Sequence, residues 1–133
     1  MDQWAPLGLH RYKLEGGVLW FETAGEFTQA DLDLYVALYE SLLKTEPALG
    51  ILADVTRGIA ISPQVRKRAA EALRPQTRPV PIAVVGASLA IRTLFTLFTN
   101  AHQLTSGVRA ATTCFSDLSM ARAWLAQQLP RGQ

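Results

Sequence analysis

The sequence is poor in the residues that build disulfides and metal sites. Its 133 residues include one cysteine, Cys114, and two histidines, His10 and His102, which lie 92 positions apart. One thiol cannot form an internal disulfide, and this spacing is not that of metal ligands. We therefore expect neither a disulfide scaffold nor a metal or other cofactor. A chain of this length, 49% hydrophobic, can bury a core without such help.

Long hydrophobic runs are also missing. The most apolar stretch, residues 81–98, contains a glycine, an arginine and hydroxyl side chains, whereas a membrane-spanning helix needs about 20 apolar residues. The first residues, Met1 to Trp4, show neither the basic and apolar regions of a signal peptide nor a lipidation motif. These absences predict a cytoplasmic protein without a membrane span.

The charges nearly balance overall but are divided along the chain. The formal net charge is +2, yet residues 1–54 hold nine of the eleven acidic residues and carry a net charge of −6. Residues 55–133 hold ten of the thirteen basic residues and carry a net charge of +8. On a folded domain this division predicts a dipolar molecule, whose basic side could attract an acidic protein or a second copy of the chain.

Hydrophobic periodicity predicts strands alternating with helices. Two strands around Glu15-Gly16-Gly17 predict a hairpin, and Thr28 begins a helix that ends before Pro47. Eight residues are predicted to form the apolar stripe of that helix: Leu32, Leu34, Tyr35, Val36, Leu38, Tyr39, Leu42 and Leu43. Further strands are predicted at residues 50–55, 80–85 and 112–115, each followed by a helix. The order β-β-α-β-α-β-α-β-α predicts one α/β domain over residues 1–133, with a mixed, mostly parallel sheet of about five strands, an N-terminal antiparallel hairpin and about four helices.

A glycine and a serine between the fourth predicted strand and the third helix resemble a nucleophile elbow, G-x-S-x-G, in the segment that begins with Gly86 and contains Ser88. That motif requires an acid and then a histidine further along the chain, but no histidine follows Asp117. His102, on the same helix as Ser88, would lie roughly 20 Å away from it. We therefore predict no catalytic residue and no enzyme activity. Gly86 and Ser88 are interpreted as a tight turn and a helix cap, with anion binding at that helix start as the alternative.

Polar residues follow the third predicted strand. Asp54, Thr56 and Arg57 come at its carboxyl end, where open α/β folds place ligands, and Ser62 begins the next helix. These side chains could bind a polar group, and Thr56 or Ser62 could accept a phosphate. The alternative is purely structural, with Asp54 binding loop amides and Ser62 capping the helix.

The second predicted helix is basic on its outer side. Lys67, Arg68 and Arg74 are expected to face outward and to form a surface for an acidic protein partner. The alternative is an ordinary solvated helix face. Because no aromatic residue lies between Ile59 and Thr93, this region offers no platform on which bases could stack, and we do not expect a nucleic-acid partner.

The third predicted helix has an unusually wide apolar arc. Its members include Ile91, Leu94, Phe95, Leu97 and Phe98. One face packed on a sheet does not require so wide an arc. Deep burial would explain it, and the alternatives are the contact face of a homodimer or the wall of a pocket for an apolar ligand.

In the order of its elements and in several motifs the chain resembles the STAS-like family. This is the anti-sigma-factor-antagonist type of domain, in the broad bacterial form that borders on CRAL-TRIO-like lipid-binding domains. The resemblance covers about residues 9–129. It depends on the hairpin, on the segments at residues 25–28, 51–56 and 84–86, and on residues 115–117 with 121–125. It implies a STAS-like fold and a regulatory or ligand-binding role.

The chain departs from the family at the residue that carries the regulatory phosphate. In phosphorylatable STAS domains the motif Asp-Ser-Ser-Gly opens the second helix, and its first serine is the acceptor. Counted from Asp54, the aspartate position is occupied here by Ser62 and the acceptor position by Pro63. The standard phosphoserine is therefore missing.

Two functions are expected from these observations. The first is a non-enzymatic regulatory domain of bacterial signalling that binds another protein through the loop at Asp54 and the basic second helix. The second is a small carrier of an apolar ligand or lipid, with the third helix as a pocket wall. The two would differ in whether an apolar molecule accompanies the purified protein.

Overall fold

The computed structural model describes residues 4–72, 80–93 and 112–129. The strands are β1 (Ala5–Leu7), β2 (His10–Glu15), β3 (Val18–Glu22), β4 (Gly25–Glu26), β5 (Gly50–Asp54), β6 (Ile59–Ala60), β7 (Ile82–Val85) and β8 (Thr112–Phe115). The helices are α1 (Gln29–Thr45), α2 (Pro63–Ala72), α3 (described over residues 89–93) and α4 (Leu118–Gln128).

Six strands form one mixed sheet in the order β1-β2-β3-β5-β7-β8. The pairs β1–β2 and β2–β3 are antiparallel, whereas β3–β5, β5–β7 and β7–β8 are parallel. The predicted fold class is confirmed. The sheet has one strand more than expected, and β4 and β6 form a separate parallel pair. These extra strands have only two or three residues, too few for hydrophobic alternation to reveal them.

Helix α1 begins as its sequence predicts. The hydroxyl of Thr28 accepts from the backbone N–H of Asp31, and the Asp31 carboxylate accepts from the N–H of Thr28, which makes a capping box. Leu32, Tyr39 and Leu42 are buried along the predicted stripe. The prediction was wrong for Leu34, which is 55% exposed, because the stripe facing the sheet is narrower than eight residues.

The helices cover the two faces of the sheet unequally. On the first face, Leu19 and Phe21 of β3 pack beneath α1, and Val65 places α2 against the same core. On the second face, Leu52 and Ala83 pack against Ala121 and Leu125 of α4. Because successive residues of a strand point to opposite faces, β5 is buried on both sides, as predicted for a central strand.

The parallel strands place the helix starts at one edge of the sheet. Strands β3, β5, β7 and β8 run in the same direction, so the segments that lead from them into α1, α2, α3 and α4 lie at their carboxyl ends. We call this the carboxyl edge. In the described part of the chain, no helix combines the length and the apolar character that crossing a membrane demands.

Candidate functional site

The loop that follows β5 at the carboxyl edge is held by its own acid. One oxygen of Asp54, Oδ1, accepts from the backbone N–H of Thr56 at 3.0 Å and from its hydroxyl at 2.6 Å. These two bonds from Thr56 to one carboxylate oxygen form a local turn of the kind that aspartate favours. The structural role that the sequence suggested for Asp54 is therefore present, and it also occupies the Thr56 hydroxyl.

This loop touches the turn that follows β7. The backbone N–H of Val55 donates to Val85, and Gly86, with a φ of +81°, lies directly against Thr56. A positive φ and a close neighbour both favour glycine at this position. Gly86 thus forms the predicted tight turn, and the structure brings Gly86 and Thr56 together, although the sequence analysis assigned them to separate sites.

The far end of the same loop is anchored to the ribbon formed by β4 and β6. The carbonyl of Gly58 accepts from the hydroxyl of Thr23 at 2.8 Å and from the backbone N–H of Gly25 at 3.0 Å. Thr23 is itself buried. The loop is therefore fixed at both ends, and between them Thr56, Arg57 and Gly58 remain exposed.

Ser62 caps α2, and the residues that follow it in α2 form a basic surface. Its hydroxyl oxygen accepts from the backbone N–H of Val65 at 3.1 Å, and the residue is exposed. Arg66, Lys67 and Arg68 are also exposed, and no carboxylate of the described residues pairs with them. Of the predicted partner surface, Lys67 and Arg68 are placed as expected, while Arg74 lies outside the described residues.

Ser88 caps α3 in the same way. Its hydroxyl oxygen accepts from the N–H of Ile91 at 3.3 Å, and Arg92 donates to the carbonyl of Ala87 at 3.3 Å. These bonds account for Ser88 as a helix cap, the first of the two interpretations of this segment.

Large apolar side chains are exposed at this edge. The described residues expose four of them, and three lie here: Leu9 at 71%, Leu89 at 80% and Met120 at 60%. Leu9 belongs to the turn between β1 and β2, which reaches the carboxyl edge because Arg11 pairs with Glu22 at the end of β3. Leu89 and Met120 lie in the first turns of α3 and α4. Large apolar side chains exposed along this edge are available to contact a protein partner.

Most of the predicted apolar pocket falls outside the described residues. Leu94, Phe95, Leu97 and Phe98 belong to that part of the chain, whereas Ile91 packs half-buried against Ala53, Val55 and Val84. A groove of about 410 Å³ lies between α1 and α2, open to solvent. It is lined by Gln29, Leu32, Asp33, Val36, Arg68, Glu71 and Ala72. Three of these residues are charged, so this groove is not an apolar pocket.

The described residues contain no group of three metal-ligating side chains. Burial raises the pKa of the Cys114 thiol, although the charge of Arg92 lowers it. The thiol is therefore held in its unreactive protonated form rather than prepared as a nucleophile.

A buried network at the start of α1 was not among the features predicted from the sequence. His10, whose side chain is fully buried, accepts at Nδ1 from the N–H of Ala24 at 2.9 Å. Its Nε2 lies 3.0 Å from the carbonyl oxygen of Glu26 and 3.3 Å from Asp31 Oδ2. Because Nδ1 accepts, the proton is assigned to Nε2. All its polar contacts are internal, so His10 joins β2, β4 and α1 rather than serving a site.

No protein-family description matches the chain, and no curated protein matches it. Among solved structures it is similar to an uncharacterised protein from the DUF3478 family with a SpoIIAA-like fold, from Shewanella loihica PV-4. The two share 20% sequence identity, with a TM-score of 0.52 over 87% of this chain and 91% of that chain. At this identity the likeness shows the fold. The SpoIIAA-like fold is the STAS-like fold, so the predicted fold is confirmed.

Proposed function

We propose that this chain is a non-enzymatic regulatory domain of bacterial signalling that binds another protein through its carboxyl edge and α2. The observation that carries the proposal is the basic surface of α2, where Arg66, Lys67 and Arg68 are exposed without a described acidic partner. It adjoins the fixed loop at Thr56 and Arg57. Unpaired positive charges grouped on one surface attract and orient an acidic partner.

The exposed apolar residues at the same edge support a protein as the partner. Binding surfaces combine apolar contact with charged groups that set the encounter. Leu9 and Leu89 supply apolar contact, and α2 supplies the charge. A small anion alone would make no use of these leucines.

The hydrogen bonds of the polar residues support a role without catalysis. The Thr56 hydroxyl donates to Asp54, the Ser62 oxygen caps α2, and His10 is buried with its nitrogens engaged. Asp54 is a base within reach of the Thr56 hydroxyl, but a catalytic pair also needs a third group that orients the base, and the described contacts of the Asp54 carboxylate are with Thr56 alone. The proposed domain therefore works by binding, without the standard phosphoserine of its fold relatives.

Two lysine substitutions test the surface. Lys67→Glu reverses a charge on the outer side of α2, and Lys44→Glu reverses a charge in the last turn of α1. A partner copurified with the wild-type chain should be lost or bound at least about tenfold more weakly by Lys67→Glu, and retained by Lys44→Glu. Both variants should keep the wild-type melting temperature, because both side chains are exposed.

Leu89→Ser provides a second, uncharged test of the same surface. Its side chain is 80% exposed, so the change should weaken partner binding without lowering the melting temperature. Equal capture by all variants would contradict the proposed surface.

Native mass spectrometry of the purified chain distinguishes protein binding from the alternative function, a carrier of an apolar ligand or lipid. A copurifying lipid mass would favour the carrier over protein binding.

A further inference from the structure

A second surface lies on the opposite side of the molecule from α2. Lys13 and Trp20 are directly paired across β2 and β3. Trp20 packs toward the second face of the sheet, where α4 lies over β5, β7 and β8. Arg11 is two residues from Lys13 and therefore shares its face. Among the described residues, no helix packs over β1 and β2 on this side, so the face at Lys13 remains open.

Aromatic and basic side chains alternate on this open face. Trp4 and Trp20 meet edge to face, with their ring centroids 5.8 Å apart. Lys13 Nζ lies 4.6 Å from the Trp20 centroid, and Arg122 Cζ of α4 lies 5.2 Å from it. Arg11 Cζ lies 4.1 Å from the centroid of Trp4. We call Trp4, Arg11, Lys13, Trp20 and Arg122 the tryptophan face.

The two cations beside Trp20, Lys13 and Arg122, form no close ion pair with an acid among the described residues. Arg11, which lies over Trp4, does form one, since its Nε donates to Glu22 Oε1 at 2.8 Å. Arg122 lies only 3.9 Å from Glu15 with 58% of its side chain exposed, and no described carboxylate pairs with Lys13. Exposed contacts of this kind hold a side chain weakly. Lys13 and Arg122 can therefore turn from the ring to an incoming anion.

Trp20 contributes an unused donor at the same place. Its indole Nε1 is buried and has no hydrogen-bond acceptor among the described residues. Buried donors are satisfied in most native proteins, so this donor is available to an acceptor that reaches it beside the two cations. A carboxylate would supply acceptor oxygens for all three groups, with charge-assisted bonds to the two cations.

We propose that the tryptophan face binds an acidic segment of a protein partner, with one Asp or Glu carboxylate received between Lys13, Arg122 and the indole N–H of Trp20. The occupant is a peptide rather than a membrane, because Glu15 and Glu22 border the site and would meet the phosphates of a broad anionic surface. A single carboxylate at Trp20 can avoid both acids. Nucleic acid fits less well, because Arg11 and Lys13 already lie over the Trp4 ring on which a base would stack.

A titration with hexaglutamate tests this site, with the NMR signals of the indole N–H groups recorded at each step. The chain has three tryptophans, and Trp→Phe variants assign their signals. Hexaglutamate should move the Trp20 signal in a saturable way and leave Trp124 nearly unchanged. The apparent affinity should fall as salt is raised, since the contacts are ionic.

Charge reversal separates this site from the surface on α2. Lys13→Glu with Arg122→Glu should weaken hexaglutamate binding at Trp20 by at least about tenfold, whereas Arg66→Glu with Lys67→Glu makes the same charge change on α2 and should leave it intact. Arg66, Lys67 and Arg122 are exposed and Lys13 is partly exposed, so the melting temperature serves to verify that each variant folds. Whether the α2 variants lose binding to a partner tests the proposed function alone and does not bear on the tryptophan face.

Three outcomes would overturn the inference. In the first, the Trp20 signal does not move even at the highest hexaglutamate concentration. In the second, both charge-reversed pairs weaken binding equally, which would indicate general attraction to a basic protein. The third outcome is a Trp20 shift with vesicles of phosphatidylserine and phosphatidylcholine in equal parts, or with single-stranded oligonucleotide, and none with hexaglutamate. A shift with hexaglutamate that only the tryptophan-face variant abolishes supports the site.

Discussion

The side chain of Thr56 lies so close to Gly86 that it leaves no room for a Cβ atom at position 86. The backbone contributes as well, because a Cβ there would lie 2.8 Å from the Cα of Thr56. The turns that follow β5 and β7 are thus packed against each other at the carboxyl edge. This contact couples the loop at Asp54 to the start of α3.

Gly86→Ala should destabilise the fold for two reasons. The residue has a φ of +81°, which costs a residue with a side chain about 1–2 kcal/mol. The new methyl group would also collide with Thr56, and part of that collision is with backbone that cannot rotate away. We expect a loss of unfolding free energy greater than the conformational cost alone, measured by urea denaturation.

Gly16→Ala is the matched control for this substitution. Gly16 has a φ of +59°, but nothing lies within 4 Å of its missing Cβ. Gly16→Ala should therefore lower the unfolding free energy by only the conformational cost of about 1–2 kcal/mol. Equal losses in the two variants would show that the contact between Thr56 and Gly86 is not tight in solution.

The main elements of the fold could be predicted from sequence because their signals are local. Thr28 and Asp31 mark the start of α1, and the apolar run from Gly50 marks a strand buried on both faces. Strand β1 has only three residues, too few for periodicity to reveal it, and β4 and β6 form by pairing with each other across a long stretch of chain. Gly25 and Glu26, for example, pair with Ile59 and Ala60, far along the chain.

The candidate site was only partly accessible to the same reasoning. The cap at Ser62 and the exposed Lys67 follow from helix signals. Hydrophobicity alone would place Trp20 in the core, but the structure places it half-buried beneath two cations on the part of the second face that no described helix covers. Which face remains uncovered depends on where α4 packs, and no local pattern contains that information.

Replacement of His10 by phenylalanine should be strongly destabilising. His10→Phe keeps an aromatic ring beside Phe21 and Phe27 but removes the acceptor for Ala24 and the donor for Glu26 and Asp31. Buried polar groups left without partners cost about 1–3 kcal/mol each, so we expect a loss of about 2–4 kcal/mol in urea denaturation.

Arg11→Ala, at the next residue along β2, is the comparison for His10→Phe. It removes a hydrogen bond of 2.8 Å to Glu22, but on an exposed surface where water replaces the lost partner. Its unfolding free energy should remain close to the wild-type value. A similar small effect for His10→Phe would mean that water also reaches Ala24 and Asp31.

The phenol of Tyr35 should make the fold sensitive to alkaline pH. Burial raises the pKa of Tyr35 above its ordinary value of 10.0, and the neighbouring Tyr39 adds to the shift. The folded chain therefore keeps the phenol proton to higher pH than the unfolded chain does. The unfolding free energy should be unaffected by this group below pH 10 and should fall as the pH rises above it.

Tyr35→Phe removes the ionisable group while keeping the ring that packs against Phe21 and Phe27. Urea denaturation from neutral pH to above pH 10 should show a shallower loss of stability for Tyr35→Phe than for the wild-type chain. Tyr12→Phe leaves Tyr35 in place and packs in the same clusters, so its Tyr35-dependent loss should persist. Identical pH profiles for Tyr35→Phe and wild type would show that solvent reaches the Tyr35 hydroxyl, because burial is the main cause of the raised pKa of Tyr35.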